Sequence, residues 1–259
     1  QYAEDDLFFL NELWQSWQHH SRFSGTDKAT VLDNINASQQ RAHEFLKTAN
    51  WLIITPGTSF SYRLTPEAQG MGGVANCHRA PAGWFDKHLM SIEEINSVLD
   101  NCLHQLFQFN PSLKIIFTVS PVRHIRDGVI DNNRSKARLL EVVHNLVNKF
   151  DRLYYFPAYE LVVDVLRDYR FYDADMVHPN YQGTQFVLEK FMRHCVDEPS
   201  RTLAEDIQKL VIARRHKAFQ PETEAHKKFL QLHLEKAKAM QKQYPFLDLQ
   251  QEIDYFGRE

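Results

Sequence analysis

Three short apolar runs constrain this fold most: Trp51-Leu-Ile-Ile-Thr-Pro56, Leu113-Lys-Ile-Ile-Phe-Thr-Val119 and Leu153 to Phe156. Each has the length of a strand, and each reads as a nearly continuous apolar block rather than an in–out alternation. Longer segments of helical periodicity separate them. Ser91-Ile-Glu-Glu94 fits a capping box that opens a helix running to about Phe109, where Asn110-Pro111 ends it, and Asn132 to Phe150 is a further long helix. Parallel strands must be joined by crossovers, so apolar strands alternating with helices predict a parallel sheet covered on both faces. The expected class is α/β.

Around this centre, Leu7 to Trp17 carries a helical apolar pattern, Ser16 to Ser24 is a polar, aromatic-rich loop, and Thr30 to Thr48 is a helix. Thr58 to Trp84 is a long irregular stretch, of a length that is often functional in a compact domain. Val162 to Leu166 belongs to a short helix, and Tyr181 to Cys195 to a longer one with Gly183 near its start. Beyond Pro199 the chain turns charged and helical over Arg201 to Phe219 and Thr223 to Gln243, with Phe229, Leu230, Leu234 and Ala237 on an apolar face. The expected division is an α/β domain over 1–198 and a helical extension over 199–259, with self-association through the extension left open. No convincing strand precedes Trp51, and three parallel strands make a narrow sheet. The expectation is an α/β domain incomplete at its amino end, its first strands lying before Gln1.

Lys and Arg number 30 against 33 Asp and Glu, and the net charge of -3 gives no argument for nucleic acid or an anionic membrane. No run approaches the length of a spanning helix. Cys77, Cys102 and Cys195 lack paired spacing, which argues against a disulfide framework and favours a reducing, cytoplasmic compartment unless a targeting segment has been removed. Ligand spacing of the usual structural type is missing, so neither a metal nor another cofactor is expected.

The chemistry-bearing residues fall in loops that leave the carboxyl ends of the strands, where active groups of open parallel sheets collect. Asp175 and His178 stand three residues apart ahead of a helix. An imidazole with a reference pKa of about 6.5 can accept and return a proton near neutrality, and Asp175 can fix its tautomer. The other reading has Asp175 capping a turn and His178 as a satisfied rim histidine. Asn76 is either an amide donor for an oxyanion or a loop-stitching side chain, and Gly57 contributes either a nearby N–H or only a tight turn. Ser59, His78, Arg79, Ser120, Arg123 and His124 are candidates to line the same cleft. Arg123 or Arg126 can hold an anionic group bidentately or brace a loop, and Arg167, Asp168 and Arg170 form an alternating cluster read mainly as salt-bridge scaffolding. Nucleophile candidates are Ser59, Ser61, Ser120 and Cys77; rim exposure is expected of Ser59 and Ser61, yet none sits in a G-x-S-x-G elbow.

Taken together, Gly57-Thr-Ser, Val74-Ala-Asn-Cys-His78, Thr118-Val-Ser-Pro-Val-Arg-His124, Asn133-Arg-Ser-Lys136, Phe156-Pro-Ala-Tyr-Glu160, Asp168-Tyr-Arg-Phe-Tyr172 and Asp175-Met-Val-His-Pro179 resemble the GSCFA domain family, placed within or beside the SGNH hydrolases. The resemblance covers roughly Trp14 to Val196. It implies a flavodoxin-like three-layer α/β/α fold and hydrolysis of an acyl or acetyl ester on a carbohydrate- or lipid-linked substrate. It also implies Asp175 and His178 as triad acid and base, Asn76 as oxyanion amide, and Gly57 as the glycine closing the central strand. The Gly-Ser-Cys-Phe-Ala string that names the family is absent. Three explanations stand: the nucleophilic serine lies upstream of Gln1, Ser59 or another serine replaces it, or the chain is an inactive carbohydrate-binding or scaffold relative.

Overall fold

A computed structural model describes residues 1–68, 70 and 72–258, which form a mixed α/β architecture. A hairpin of β1 (Phe8–Leu10) and β2 (Leu13–Gln15) leads into the long helix α1 (Lys28–Thr48) and the strand β3 (Trp51–Ile54). A second hairpin, β4 (Phe60–Leu64) with β5 (Phe85–Leu89), precedes α2 (Ile92–Phe109). β6 (Lys114–Phe117), α3 (Gly128–Lys149) and β7 (Leu153–Tyr155) follow. The chain then passes through a helical turn, α4 (Ala158–Glu160), a π-helical turn at Leu161–Leu166, and α5 (Tyr181–Cys195).

The three apolar runs form one parallel sheet in the order β3-β6-β7, with Ile53 opposite Ile116 and Ile116 opposite Tyr154. Two successive right-handed crossovers place their helices on a single face of such a sheet. On that face Ile115, Phe117 and Leu153 pack with Ile95, Leu103 and Phe107 of α2 and with Leu139, Val142, Val143 and Leu146 of α3. Ser91 begins α2 as expected: its side chain accepts from Glu94 N–H, and the Glu94 carboxylate accepts from Ser91 N–H.

Burial on both faces is not what the structure has. Trp51, Ile53 and Tyr154 point to the opposite face and remain 47%, 52% and 44% exposed. Trp51 and Tyr154 meet tilted, ring centroids 5.5 Å apart, and the Lys114 ammonium lies 5.2 Å from the Trp51 ring.

Two further expectations are corrected. Leu7 to Trp17 is no helix: Asn11 and Glu12 both take positive φ, 52° and 63°, the geometry of a two-residue hairpin turn that joins β1 to β2. The stretch Thr58 to Trp84 is not wholly irregular, because Phe60–Leu64 pairs antiparallel with Phe85–Leu89, Tyr62 opposite Lys87. Gln69 and Met71 of that stretch lie outside the described residues.

The chain divides into two units, Gln1–Val187 and Leu188–Glu259. The second holds α6 (Glu198–Arg215), α7 (Glu224–Gln243) and α8 (Gln250–Phe256). Its own core gathers Leu210, Ala213, Ala237, Leu249 and Phe256, with Phe229, Leu230 and Leu234 packed against them. The apolar face read from the sequence is thus buried by a short third helix of the same unit. Arg214 pairs with the buried Glu252 at 3.1 Å.

Candidate acid–base site

The loop between the π-helical turn and α5 is built from its own hydrogen bonds. Asn180 donates through Nδ2 to the carbonyl oxygens of Arg170 at 2.7 Å and Tyr172 at 3.2 Å, while its Oδ1 accepts from Gly183 N–H at 3.1 Å and so caps α5. A Cβ on Gly183 would lie 2.8 Å from the Phe171 carbonyl oxygen, so only glycine allows this approach. Tyr172 bridges Pro179 in antiparallel fashion, and Asp173 N–H donates to the His178 carbonyl at 2.8 Å.

Within this frame Asp175 closes a tight turn. Its Oδ1 accepts from the backbone N–H of Val177 at 2.8 Å and of His178 at 3.0 Å, with Met176 between at a φ of 59°. Its Oδ2 lies 2.7 Å from His178 Nδ1. Both side chains are solvent-exposed. The His178 ring, followed by the two backbone N–H groups, holds the Asp175 carboxyl down to about 2. A carboxylate can only accept, so Nδ1 carries the hydrogen, and in the neutral ring Nε2 keeps its lone pair. No hydrogen bond to Nε2 is present among the described residues.

The loops after β3 and β6 meet at a different group. Lys136, in α3, is 1% exposed, and its ammonium donates to the carbonyl oxygens of Gly57 at 2.5 Å and Ser120 at 2.7 Å. Burial pulls its pKa down to about 8. His124 lies against Gly57, and burial, reinforced by the Lys136 charge, lowers its pKa. The Ser120 hydroxyl accepts from Val122 N–H at 3.2 Å. Arg123 stacks over Tyr172, its guanidinium carbon 4.8 Å from the ring centroid.

Ser59 does not have the expected rim exposure. It is 2% exposed, and its hydroxyl donates toward Ser135 Oγ at 3.0 Å and the Ser135 carbonyl at 3.2 Å. Ser61 sits in the β4–β5 hairpin opposite His88. Burial raises the Cys77 thiol, which disfavours a thiolate.

Asn76 and His78 hold to the loop around Trp17. Asn76 N–H donates to the Trp17 carbonyl at 3.2 Å, and Asn76 Oδ1 accepts from His78 N–H at 3.0 Å. The Asn76 Nδ2 group has no hydrogen bond among the described residues. His78 is buried instead of open to a cleft: Nε2 donates to the Ser16 carbonyl at 2.8 Å, and the ring packs beside Phe8 and Trp17. Arg79 is exposed, at a φ of 60°. No hydrogen bond joins Asn76 to Asp175 or His178 among the described residues, whereas Gly57, Ser120 and His124 do come together.

Lys136 and Ser135 were missed as site residues. Asn132, Ser135, Lys136, Leu139, Val143 and Leu146 are all buried at helical spacing on α3. Polar residues on the apolar stripe of a long helix are the signal that marks them. Among the described residues no group of three or more His, Cys, Asp or Glu side chains is placed to hold a metal ion. No helix among them is long and apolar enough to cross a membrane.

The family model described as GSCFA family matches residues 1–191, and the one described as GSCFA domain protein, C-terminal domain, matches residues 207–259. No curated protein and no solved structure matches the chain.

Proposed function

The chain belongs to the GSCFA family, and from that membership and the Asp175–His178 pair we propose that it works as a serine ester hydrolase on an acyl or acetyl ester, on the SGNH-type, flavodoxin-like plan. His178 Nε2 takes the proton from a serine hydroxyl as its oxygen attacks the ester carbonyl. Asp175 keeps the ring oriented and stabilises the imidazolium, which then returns the proton to the leaving alkoxide. Water attacks the acyl-enzyme with the same base and releases the carboxylic acid. Asn76 Nδ2 is the proposed donor to the oxyanion, and the loop at Gly57 closes the rim. Ser59, buried in bonds to Ser135, is not the nucleophile of this reading.

The single observation that carries this reading is the 2.7 Å contact between Asp175 Oδ2 and His178 Nδ1. The test is hydrolysis of short-chain acyl esters by the natural full-length protein and by its His178→Ala variant. Loss of turnover in the variant supports the assignment, and equal turnover removes it. A second reading, a carbohydrate-binding or scaffold protein on the same fold, is favoured by the exposed rings of Tyr169 and Tyr181 flanking the loop. Glycan binding without hydrolysis by the full-length protein would select it.

A further inference from the structure

Beside the Asp175–His178 loop a cavity of about 160 Å³ is lined by Arg123, Val163, Arg167, Asp168, Tyr169 and Tyr172. Its one carboxylate is already compensated: Asp168 Oδ1 accepts from Arg170 N–H at 2.8 Å, and Oδ2 lies 3.0 Å from the Arg170 guanidinium. Neither the Arg123 nor the Arg167 guanidinium has a carboxylate or carbonyl partner among the described residues. The Arg123 guanidinium lies against two aromatic rings, 4.8 Å from the Tyr172 centroid and 5.5 Å from that of Tyr169. Arg167 is set by a left-handed backbone, φ 49°, at the end of the π-helical turn. Tyr172 is 7% exposed, and its buried hydroxyl has no hydrogen-bond partner among the described residues. A buried donor in that state calls for an acceptor.

We propose that this cavity binds an oxyanion group, a carboxylate or a phosphate, through Arg123 and Arg167. The planar guanidinium fork matches two oxygens of either group, and stacking on the tyrosines spares Arg123 the cost of being ordered on binding. Tyr172 bridges Pro179, and the adjacent Asp173 bonds the His178 carbonyl, so wall and acid–base pair share one loop. The bound group is then a negatively charged part of the ester substrate, an assignment that rests on the hydrolytic reading; the binding itself does not.

The test is calorimetric titration of the chain with inorganic phosphate and, separately, with glucuronate. It compares the natural sequence with Arg123→Gln and with Arg167→Asn, the latter chosen because Asn tolerates a left-handed backbone. Saturable binding of at least one anion, weakened about tenfold or more in each folded variant, is the expected result. The anion that binds more tightly identifies the group. Binding of neither anion by the natural sequence, or equal binding by Arg167→Asn, overturns the proposal. Should Arg123→Gln fail to fold, Arg167→Asn alone decides. No step requires turnover, so an inactive protein that still binds the anion removes the hydrolase reading and leaves the cavity assignment standing.

Discussion

Asp175 holds His178 twice, with Oδ1 on its backbone N–H at 3.0 Å and Oδ2 beside its ring Nδ1 at 2.7 Å. One side chain therefore sets both the path of the loop and the tautomer of the imidazole. Asp175→Asn keeps an oxygen for the backbone bonds but turns an amide donor toward Nδ1–H. Expected is a folded protein, by circular dichroism, whose full-length form hydrolyses short acyl esters roughly 10²- to 10⁴-fold more slowly. Unchanged turnover would show that the pair is only a turn.

The same carboxyl makes an acid-stability prediction. Its folded pKa of about 2 lies below the ordinary 3.8, so the folded state binds fewer protons between these values. The stabilisation is complete above pH 4 or so and fades as pH falls toward 2. Urea denaturation of Asp175→Asn against the natural sequence should show the difference shrinking over that window.

Lys136 has the opposite sign. Its pKa of about 8 stands below the ordinary 10.5, so between these values the unfolded chain keeps a proton that the folded chain has released. Its contribution to stability therefore rises with pH across that window, by about 3 kcal/mol when fully developed. Lys136→Met should lack this rise, measured as the difference in denaturation midpoints from pH 7.5 to 10. Parallel pH profiles for the two proteins would rule out a depressed lysine.

Ser59→Ala should act on stability, because the hydroxyl sits in a buried cluster with Ser135. A loss of about 1–2 kcal/mol is expected, read from chemical denaturation, with turnover per folded molecule unchanged. If the 259-residue chain hydrolyses esters robustly and this substitution abolishes it, Ser59 is the nucleophile after all.

Glu12→Gly should stabilise the amino-terminal hairpin. Glu12 is exposed at a φ of 63°, where a side chain costs about 1 kcal/mol that glycine avoids. A higher melting temperature is the expected result, and a lower one would count against the turn geometry.

The central strands and helices were legible because their signals are local. The Trp51, Leu113 and Leu153 runs and the Ser91–Glu94 box each declare themselves within a few residues. The hairpins were not. Strands of three residues, as in Phe8–Leu10, are too short for a period of two to be told from one of 3.6, and the Asn11–Glu12 turn lacks the glycine that usually announces it. Phe60–Leu64 pairs with the strand Phe85–Leu89, far along the chain, so no local pattern could mark the pairing. At the site, Asp175 and His178 are neighbours in sequence and their geometry follows from spacing. The attachment of Asn76 and His78 to the Trp17 loop is a long-range contact that spacing does not encode.

The uncovered side of the parallel sheet carries its own optical reporter. Trp51 is 47% exposed there, whereas Trp17 is 6% exposed against Phe8 and His78. Collisional quenchers such as acrylamide will therefore dim the Trp51 emission and spare that of Trp17. Anything that settles on the sheet will shift the Trp51 emission to shorter wavelength and shield it from the quencher, making coverage of this surface readable in a cuvette.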